Sequence, residues 1–240
     1  MARPLPLRTE FDRTRTSSFG YACGACGRCC YGKTIPLNPY EVARLAAHHS
    51  LSTTEALARF TNDCGASLKS RDDGGCVFLG EQGCTVHASR PLACRLYPLG
   101  RLVAKGEETF AEVEPHPETA GVYGGAGTVA DYLAAQGAEP YMAASDRYLA
   151  LFRRMLSTLV RRDDVAQACD DATRIVRTSP AEADASMLDV DAVVSRWCEE
   201  RGLPVPEEVD ARVALHIEAI EAQLDPVEPP AGAAGRDATT

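Results

Sequence analysis

The chain has 240 residues, 45% of them hydrophobic and 25% charged, which is enough to bury a core without disulfide cross-links. It has no apolar stretch of about 18 residues and no apolar secretory segment at its start, so we expect a cytoplasmic protein without a membrane partner. The formal net charge of -9 divides into +6 for residues 1–105 and -15 for the rest, and because Lys and Arg are scattered without interleaved aromatics, we expect no nucleic-acid partner.

Four cysteines near the start of the chain form the pattern Cys23-x-x-Cys26-x-x-Cys29-Cys30. Two residues between cysteines let a turn direct both sulfurs toward one centre, and the interspersed glycines permit tight turns. In a reducing compartment, cysteines at this density favour metal binding or redox chemistry over disulfides. The first predicted element is therefore a metal-binding loop.

Two short helices are predicted after this loop. Asn38 precedes a proline at the first helical position and Glu41 follows three residues later, which predicts a capped helix over residues 39–49. Ser52 and Glu55 repeat the capping pattern, which predicts a second helix ending near Phe60.

Two hairpins are predicted next. The segments 76–79 and 84–87 flank a Gly-containing turn and would bring Cys76 and Cys84 close together. The segments 101–104 and 109–113 flank Lys105-Gly106 and predict a second hairpin without cysteines.

The rest of the chain is predicted to be helical. Apolar residues recur at helical spacing in two segments, namely Tyr148, Leu149, Phe152, Leu156 and Val160, and then Val213, Ile217, Ile220 and Leu224. We predict two further helices over residues 164–177 and 187–200, and a disordered tail rich in Pro, Ala and Gly from Asp225 onward.

These elements predict an α+β fold, in which a small cysteine-rich, metal-organised domain of short helices and hairpins precedes a mostly α-helical C-terminal region. The low aromatic content of 6% also favours packed helices over a large sheet. Pro and Gly cluster over residues 114–127 and mark the boundary. The predicted divisions are an N-terminal arm (1–19), a cysteine-cluster metal-binding domain (20–125), a helical region (126–224) and a disordered tail (225–240).

Seven cysteines are the candidate metal ligands: Cys23, Cys26, Cys29, Cys30, Cys76, Cys84 and Cys94. Thiolates are soft ligands that suit zinc or an iron–sulfur cluster, and three cysteines spaced by two are similar to the start of a bacterial ferredoxin motif. A fourth ligand must then come from a remote position, for which Cys94 is the first candidate. Because successive side chains usually point apart, we expect Cys29 and Cys30 not to bind the same mononuclear ion.

Other residues near the cluster are open to more than one interpretation. Cys64 is either a ligand or a buried thiol, and His87, three residues after Cys84, is either a ligand or a hairpin cap. Arg90, Arg95 and Tyr97 are candidates to donate hydrogen bonds to the thiolates. Cys169 and Cys198 lie on predicted helices without a neighbouring cysteine and are expected to be small core residues.

Several ordered blocks resemble one known family. They are Cys23-Gly-Ala-Cys26-Gly-Arg-Cys29-Cys30, Pro36-Leu-Asn-Pro-Tyr-Glu41, Gly75-Cys76-Val-Phe-Leu79, Cys84-Thr-Val-His87 and Arg90-Pro-Leu-Ala-Cys94-Arg-Leu-Tyr-Pro98. Together they resemble the YkgJ-like CxxCxxCC proteins, a zinc- or iron-chelating family, over roughly residues 20 to 100. The resemblance implies metal binding by the matching cysteines.

The favoured function is a metal-binding protein whose cysteine-ligated centre is an iron–sulfur cluster, 4Fe-4S in preference, used in redox chemistry or as an accessory to an enzyme. Two alternatives remain: a zinc-stabilised protein-interaction module whose acidic helices contact an unidentified protein partner, and a protein for metal delivery or sensing. Because the sequence has no Walker loop, dinucleotide fingerprint, GxSxG or HExxH motif, it assigns no catalytic residues.

Overall fold

The protein has an α+β fold in which short antiparallel strand pairs and helices alternate in the first half of the chain and helices follow in the second, as the sequence predicts. The computed structural model describes residues 10–62, 65–114, 116–124, 126–160 and 185–224. Within these ranges, no helix is both long and apolar enough to cross a membrane. Cys64, Cys169, the predicted helix over 164–177 and the predicted tail lie outside them.

The described elements are mostly short. The α-helices are α1 (Pro39–His48), α2 (Thr53–Phe60), α3 (Leu92–Leu96), α4 (Val129–Ala135), α5 (Glu139–Val160), α6 (Val190–Arg201) and α7 (Val209–Leu224). The strands are β1 (Tyr21–Ala22), β2 (Thr61–Asn62), β3 (Ser67–Leu68), β4 (Leu79–Gly80), β5 (Gly83–Cys84), β6 (Leu99–Ala104), β7 (Glu107–Glu112) and β8 (Val122–Tyr123). They pair as β1 with β8, β2 with β3, β4 with β5 and β6 with β7, all antiparallel.

The two capped helices are confirmed as α1 and α2. Asn38 Oδ1 accepts a hydrogen bond from the Glu41 N–H at 3.1 Å, and the Glu41 carboxylate accepts one from the Asn38 N–H at 2.8 Å. Ser52 and Glu55 form the same reciprocal pair at the start of α2. Each pair satisfies two N–H groups that the helix itself leaves without partners, so both helices begin where the sequence predicts.

The two hairpins differ in how well the sequence predicts them. The second is confirmed, with β6 and β7 paired from Leu99 and Glu112 to the turn at Lys105 and Gly106. The first exists only as the two-residue strands β4 and β5, so the predicted strand extents are wrong. The Cys76 N–H donates to the Cys30 carbonyl at 2.8 Å. Cys76 therefore pairs with the cysteine loop and not with the strand across the hairpin.

The C-terminal helices agree with the helical periodicity in the sequence. The segments ending at Val160 and Leu224 lie in α5 and α7, and the helix predicted over 187–200 is α6. Helix α6 begins three residues later than predicted, because Asp189 caps it by accepting a hydrogen bond from the Ala192 N–H and a turn of 3-10 helix, Ala185–Leu188, precedes it.

The largest apolar core joins the cysteine-rich half of the chain to the C-terminal helices. Tyr40 and Ala43 of α1 pack there with Tyr148 of α5, Val194 of α6 and Ile217 of α7. Burial of this apolar surface stabilises α1 against the helical region. The two predicted regions therefore share one core, and the position of a domain boundary between them stays a prediction.

A cysteine and a histidine are buried among these helices. Cys198 is 1% exposed and packs as a small apolar residue, which confirms the prediction for it. His216 is fully buried, with the Tyr148 hydroxyl donating to its Nδ1 at 2.9 Å and its Nε2 donating to the Met187 carbonyl at 3.1 Å. Burial lowers the pKa of His216 to about 4, so the ring is neutral in the folded protein.

Candidate metal centre

Six of the seven candidate cysteines line one cavity of about 270 Å³: Cys23, Cys29, Cys30, Cys76, Cys84 and Cys94. Much of the remaining wall is apolar, with contributions from Ile35, Leu68, Phe78 and Val86. These cysteines come from positions up to 71 residues apart, so folding brings them together. Soft thiol donors in an apolar cavity are the donor set that zinc and iron–sulfur clusters use in proteins.

The loop that carries Cys23 to Cys30 packs against Leu79 of β4 and is hydrogen-bonded to Cys76, which precedes that strand. Gly27 has a φ of 70°, and a Cβ atom there would lie 2.9 Å from Leu79 Cδ1. Because an L residue is strained at this φ and would also contact Leu79, glycine suits the position. The Cys30 N–H donates to the Gly27 carbonyl at 3.0 Å, and the Cys30 carbonyl in turn accepts from Cys76. Together these contacts bring the loop sulfurs to the same cavity as those of the hairpin.

The adjacent Cys29 and Cys30 both line this cavity, and the expectation that they do not bind the same mononuclear ion stays a prediction. They lie in a turn of 3-10 helix, Arg28–Cys30, in which successive side chains are separated by about 120° rather than the 180° of a strand. The Cys30 thiol donates a hydrogen bond to the Cys29 sulfur, which lowers the pKa of Cys29 to about 6 and raises that of Cys30. Cys29 is therefore the thiol of this pair that ionises first.

The thiols of Cys76, Cys84 and Cys94 lie deeper in the fold. Burial raises the pKa of all three, to about 12 for Cys94, where the nearby sulfurs of Cys76 and Cys84 add to the effect. These thiols hold their protons near neutral pH without a cation, because burial penalises the thiolate form. A bound metal ion reverses this preference and releases the protons.

Cys23 and Cys26 are exposed, and they differ in where they lie. Cys23 lines the cavity and accepts a hydrogen bond from the Ala25 N–H at 3.4 Å. Cys26 does not line it and instead accepts one from the Ala120 N–H at 3.4 Å. The backbone N–H groups of Ala120 and Arg28 lower the pKa of Cys26. Cys26 is thus the one candidate ligand that the structure does not bring to the cavity wall.

The thiols surround the cavity rather than a single point. Among the described residues, no three Cys, His, Asp or Glu side chains converge closely enough to bind one ion in the present arrangement. Binding of a single ion would require these side chains to move inward, whereas a larger group would occupy more of the space between them.

Three nitrogen-bearing side chains also line the cavity, namely Lys33, His87 and Arg90. Arg90 donates to the Gln136 side chain at 2.6 Å and to His87 Nδ1 at 3.2 Å. The charge of Lys33 helps to lower the pKa of Cys29, although no sequence pattern distinguishes this lysine. The cations at this wall favour a centre with net negative charge.

The hydrogen-bond partners of Arg95 and Tyr97 are not the thiolates that the sequence predicts. Arg95 is 6% exposed and donates to the carbonyls of Ala88, Arg90 and Gln136 at 2.6, 2.9 and 2.7 Å. Its role is therefore to fix the backbone that leads into α3. The Tyr97 ring lines the cavity, but its hydroxyl accepts from the His116 N–H at 2.9 Å.

Comparison with known proteins supports metal binding by this region. Residues 22–116 match the family model CxxCxxCC, described as a "putative zinc- or iron-chelating domain". No curated protein and no solved structure gives a significant match to the chain. The matched range contains all seven candidate cysteines and the whole cavity lining. Over residues 22–116 the chain is therefore similar to the CxxCxxCC family of zinc- or iron-chelating domains, and this similarity supports metal binding by the region.

Proposed function

We propose that the cavity binds an iron–sulfur cluster and that the protein uses it in electron transfer or as an accessory to an enzyme. The observation that carries this proposal is the convergence of six thiols on one largely apolar cavity of about 270 Å³. A cluster bound by cysteine thiolates exchanges single electrons at a potential set by burial, charge and hydrogen bonds to sulfur. The apolar wall and the cations Lys33 and Arg90 are the local features that would set it here.

The size of the cavity favours a cluster over one zinc ion. With Zn–S bonds of about 2.3 Å, the four sulfurs of a tetrahedral zinc site lie about 3.8 Å apart and enclose only the metal ion. Here more than four thiols border a space large enough for several atoms. A multinuclear centre accounts for both the number of thiols and the size of the cavity, whereas a mononuclear site accounts for neither.

Four of these thiols are our preferred ligands: Cys29, Cys76, Cys84 and Cys94. The four thiols lie close together. In every pair of them, the charge of one thiolate helps to raise the pKa of the other thiol. All four are partly buried, whereas Cys23 and Cys26 are exposed. Cys30 contributes a hydrogen bond to Cys29. In this arrangement one ligand comes from the cysteine loop, two come from around the β4–β5 hairpin, and α3 supplies the fourth.

Anaerobic purification tests the proposal. The visible spectrum, the iron content and the acid-labile sulfide content are measured on the same sample. We expect a brown protein with iron and sulfide in equal amounts. Cys76→Ser and Cys94→Ser should each remove most of the iron, whereas Cys198→Ala should retain it because that thiol lies in the helical core. Full iron and sulfide content in both cavity variants would disprove the ligand assignment.

A zinc-stabilised interaction module is the second candidate, because zinc satisfies the same thiol chemistry and the matched family model names it. In that case the acidic helical half would contact an unidentified protein partner. A colourless protein with zinc in stoichiometric amount and no sulfide would support this function and exclude the cluster. A third possibility, metal delivery, predicts that the exposed Cys23 and Cys26 exchange metal with an external chelator faster than the buried thiols do.

A further inference from the structure

Helix α3 carries Cys94 but has no N-terminal cap of its own. Its N-cap residue is Pro91, which offers no side-chain hydrogen bond, so the first N–H of the helix must find another acceptor. That acceptor is Glu41 of α1, whose Oε1 accepts from the Leu92 N–H at 2.6 Å. A helix that supplies a cavity thiol is thus capped from an element 51 residues earlier in the chain.

Glu41 performs two capping tasks with one carboxylate. Its Oε2 accepts from the Asn38 N–H at 2.8 Å, which completes the capping box of α1, while its Oε1 reaches α3. The residue is 4% exposed, and burial raises the pKa of its carboxyl group, while the N–H groups of Leu92 and Asn38 and the charge of Arg95 oppose that shift. Hydrogen bonds from backbone N–H groups to a buried carboxylate are charge-assisted and therefore strong.

We propose that Glu41 is a positioning residue of the metal centre. Its carboxylate fixes α3 against α1 and so holds the Cys94 sulfur at the cavity wall. This inference rests on the proposed function, in which Cys94 is a metal ligand. Glu41 does not line the cavity, and its carboxylate reaches α3 through the Leu92 N–H. Its charge also adds to the burial that raises the pKa of Cys94.

The chain provides a matched control for an ordinary capping role. Glu55 occupies the same position in the capping box of α2, where its Oε2 accepts from the Ser52 N–H at 2.9 Å. Within the described residues its hydrogen bonds stay inside that box, and none of them reaches α3. Glu41→Gln and Glu55→Gln therefore both weaken a capping box, but only the first places an amide where the Leu92 N–H needs a carboxylate.

The experiment compares wild type, Glu41→Gln and Glu55→Gln as metal-loaded full-length proteins. Metal release to an excess of a colorimetric chelator is timed under conditions in which circular dichroism shows each variant folded. We expect release from Glu41→Gln to be about tenfold faster than from wild type, because one charge-assisted hydrogen bond is lost. Release from Glu55→Gln should stay within twofold of wild type. Hydrogen exchange at the Leu92 amide should accelerate in Glu41→Gln alone.

A second pair of variants tests the same bond from the donor side if Glu41→Gln does not fold. Leu92→Pro and Leu92→Ala both remove the leucine side chain, but only proline removes the N–H, and proline is well tolerated at the first position of a helix. Faster metal release from Leu92→Pro than from Leu92→Ala supports the inference. Equal release from Glu41→Gln and Glu55→Gln, or from the two Leu92 variants, overturns it while leaving the metal centre in place. A wild-type protein that takes up no metal overturns the proposed function as well.

Discussion

The buried His216 should make the stability of the protein depend on pH in a defined window. Its pKa is about 4 in the folded protein, against about 6.5 for an unfolded histidine. Protonation would place a charge in the apolar core and would put a proton on Nδ1, which now accepts from Tyr148. Because the folded-state pKa is lowered, the stabilisation is complete above pH 6.5 and is lost as the pH falls toward 4.

The size of this effect follows from the two pKa values of His216. Each pKa unit corresponds to about 1.36 kcal/mol, so proton linkage predicts a loss of about 2 kcal/mol between pH 7.5 and pH 5. At pH 4 the loss would reach about 3 kcal/mol. Since small proteins unfold at a total cost of only about 5–15 kcal/mol, a change of this size is measurable.

The assay is urea unfolding of wild type and His216→Gln at pH 7.5, 6 and 5, with both proteins in the same metal state. Glutamine carries no charge at any of these pH values, so the effect of burying it on the unfolding free energy does not change with pH. The difference in unfolding free energy between the two proteins should shrink by about 2 kcal/mol from pH 7.5 to pH 5. Carboxylates titrate alike in both proteins and cancel in the comparison. A difference that stays constant over this range would refute the assignment of a neutral, buried His216.

Two further substitutions probe the surroundings of the cysteines. Arg95→Lys leaves buried carbonyls around α3 without donors and should lower the unfolding free energy in urea by about 2–4 kcal/mol; an unchanged midpoint would contradict its role in fixing this backbone. Gly24→Ala would place a Cβ 2.5 Å from the Ala120 carbonyl oxygen and should lower the unfolding free energy by about 1–3 kcal/mol in thermal unfolding. An unchanged unfolding free energy would mean that the loop around Ala120 moves freely away from Gly24.

The elements that the sequence predicts well depend on neighbouring residues. The capping boxes of α1 and α2 join residues three apart, such as Asn38 and Glu41, so the whole interaction is visible in the sequence. The β6–β7 hairpin also closes locally through Lys105 and Gly106. Periodicity likewise identifies α5 and α7, because each must bury an apolar face.

The errors concern contacts between distant residues. The first hairpin is shorter than predicted because the Cys76 N–H pairs with Cys30, which no local pattern reveals. Arg95 binds carbonyls rather than sulfur because its neighbours in space include Gln136, 41 residues away. Glu41 was predicted only as a cap, and its second bond, to Leu92, depends on how α1 packs against α3.

The sequence by itself determined that this protein carries soft metal-binding donors, because residue type and spacing decide the chemistry of a thiol loop. It also determined the starts of α1 and α2, because their capping boxes join residues three apart. Only the tertiary structure decided that Cys29 and Cys30 share a cavity with Cys76, Cys84 and Cys94, and that Cys26 lies outside it. The physical reason is that the positions of these sulfurs depend on burial and on hydrogen bonds between residues far apart in the chain, and those interactions exist only once the core has formed.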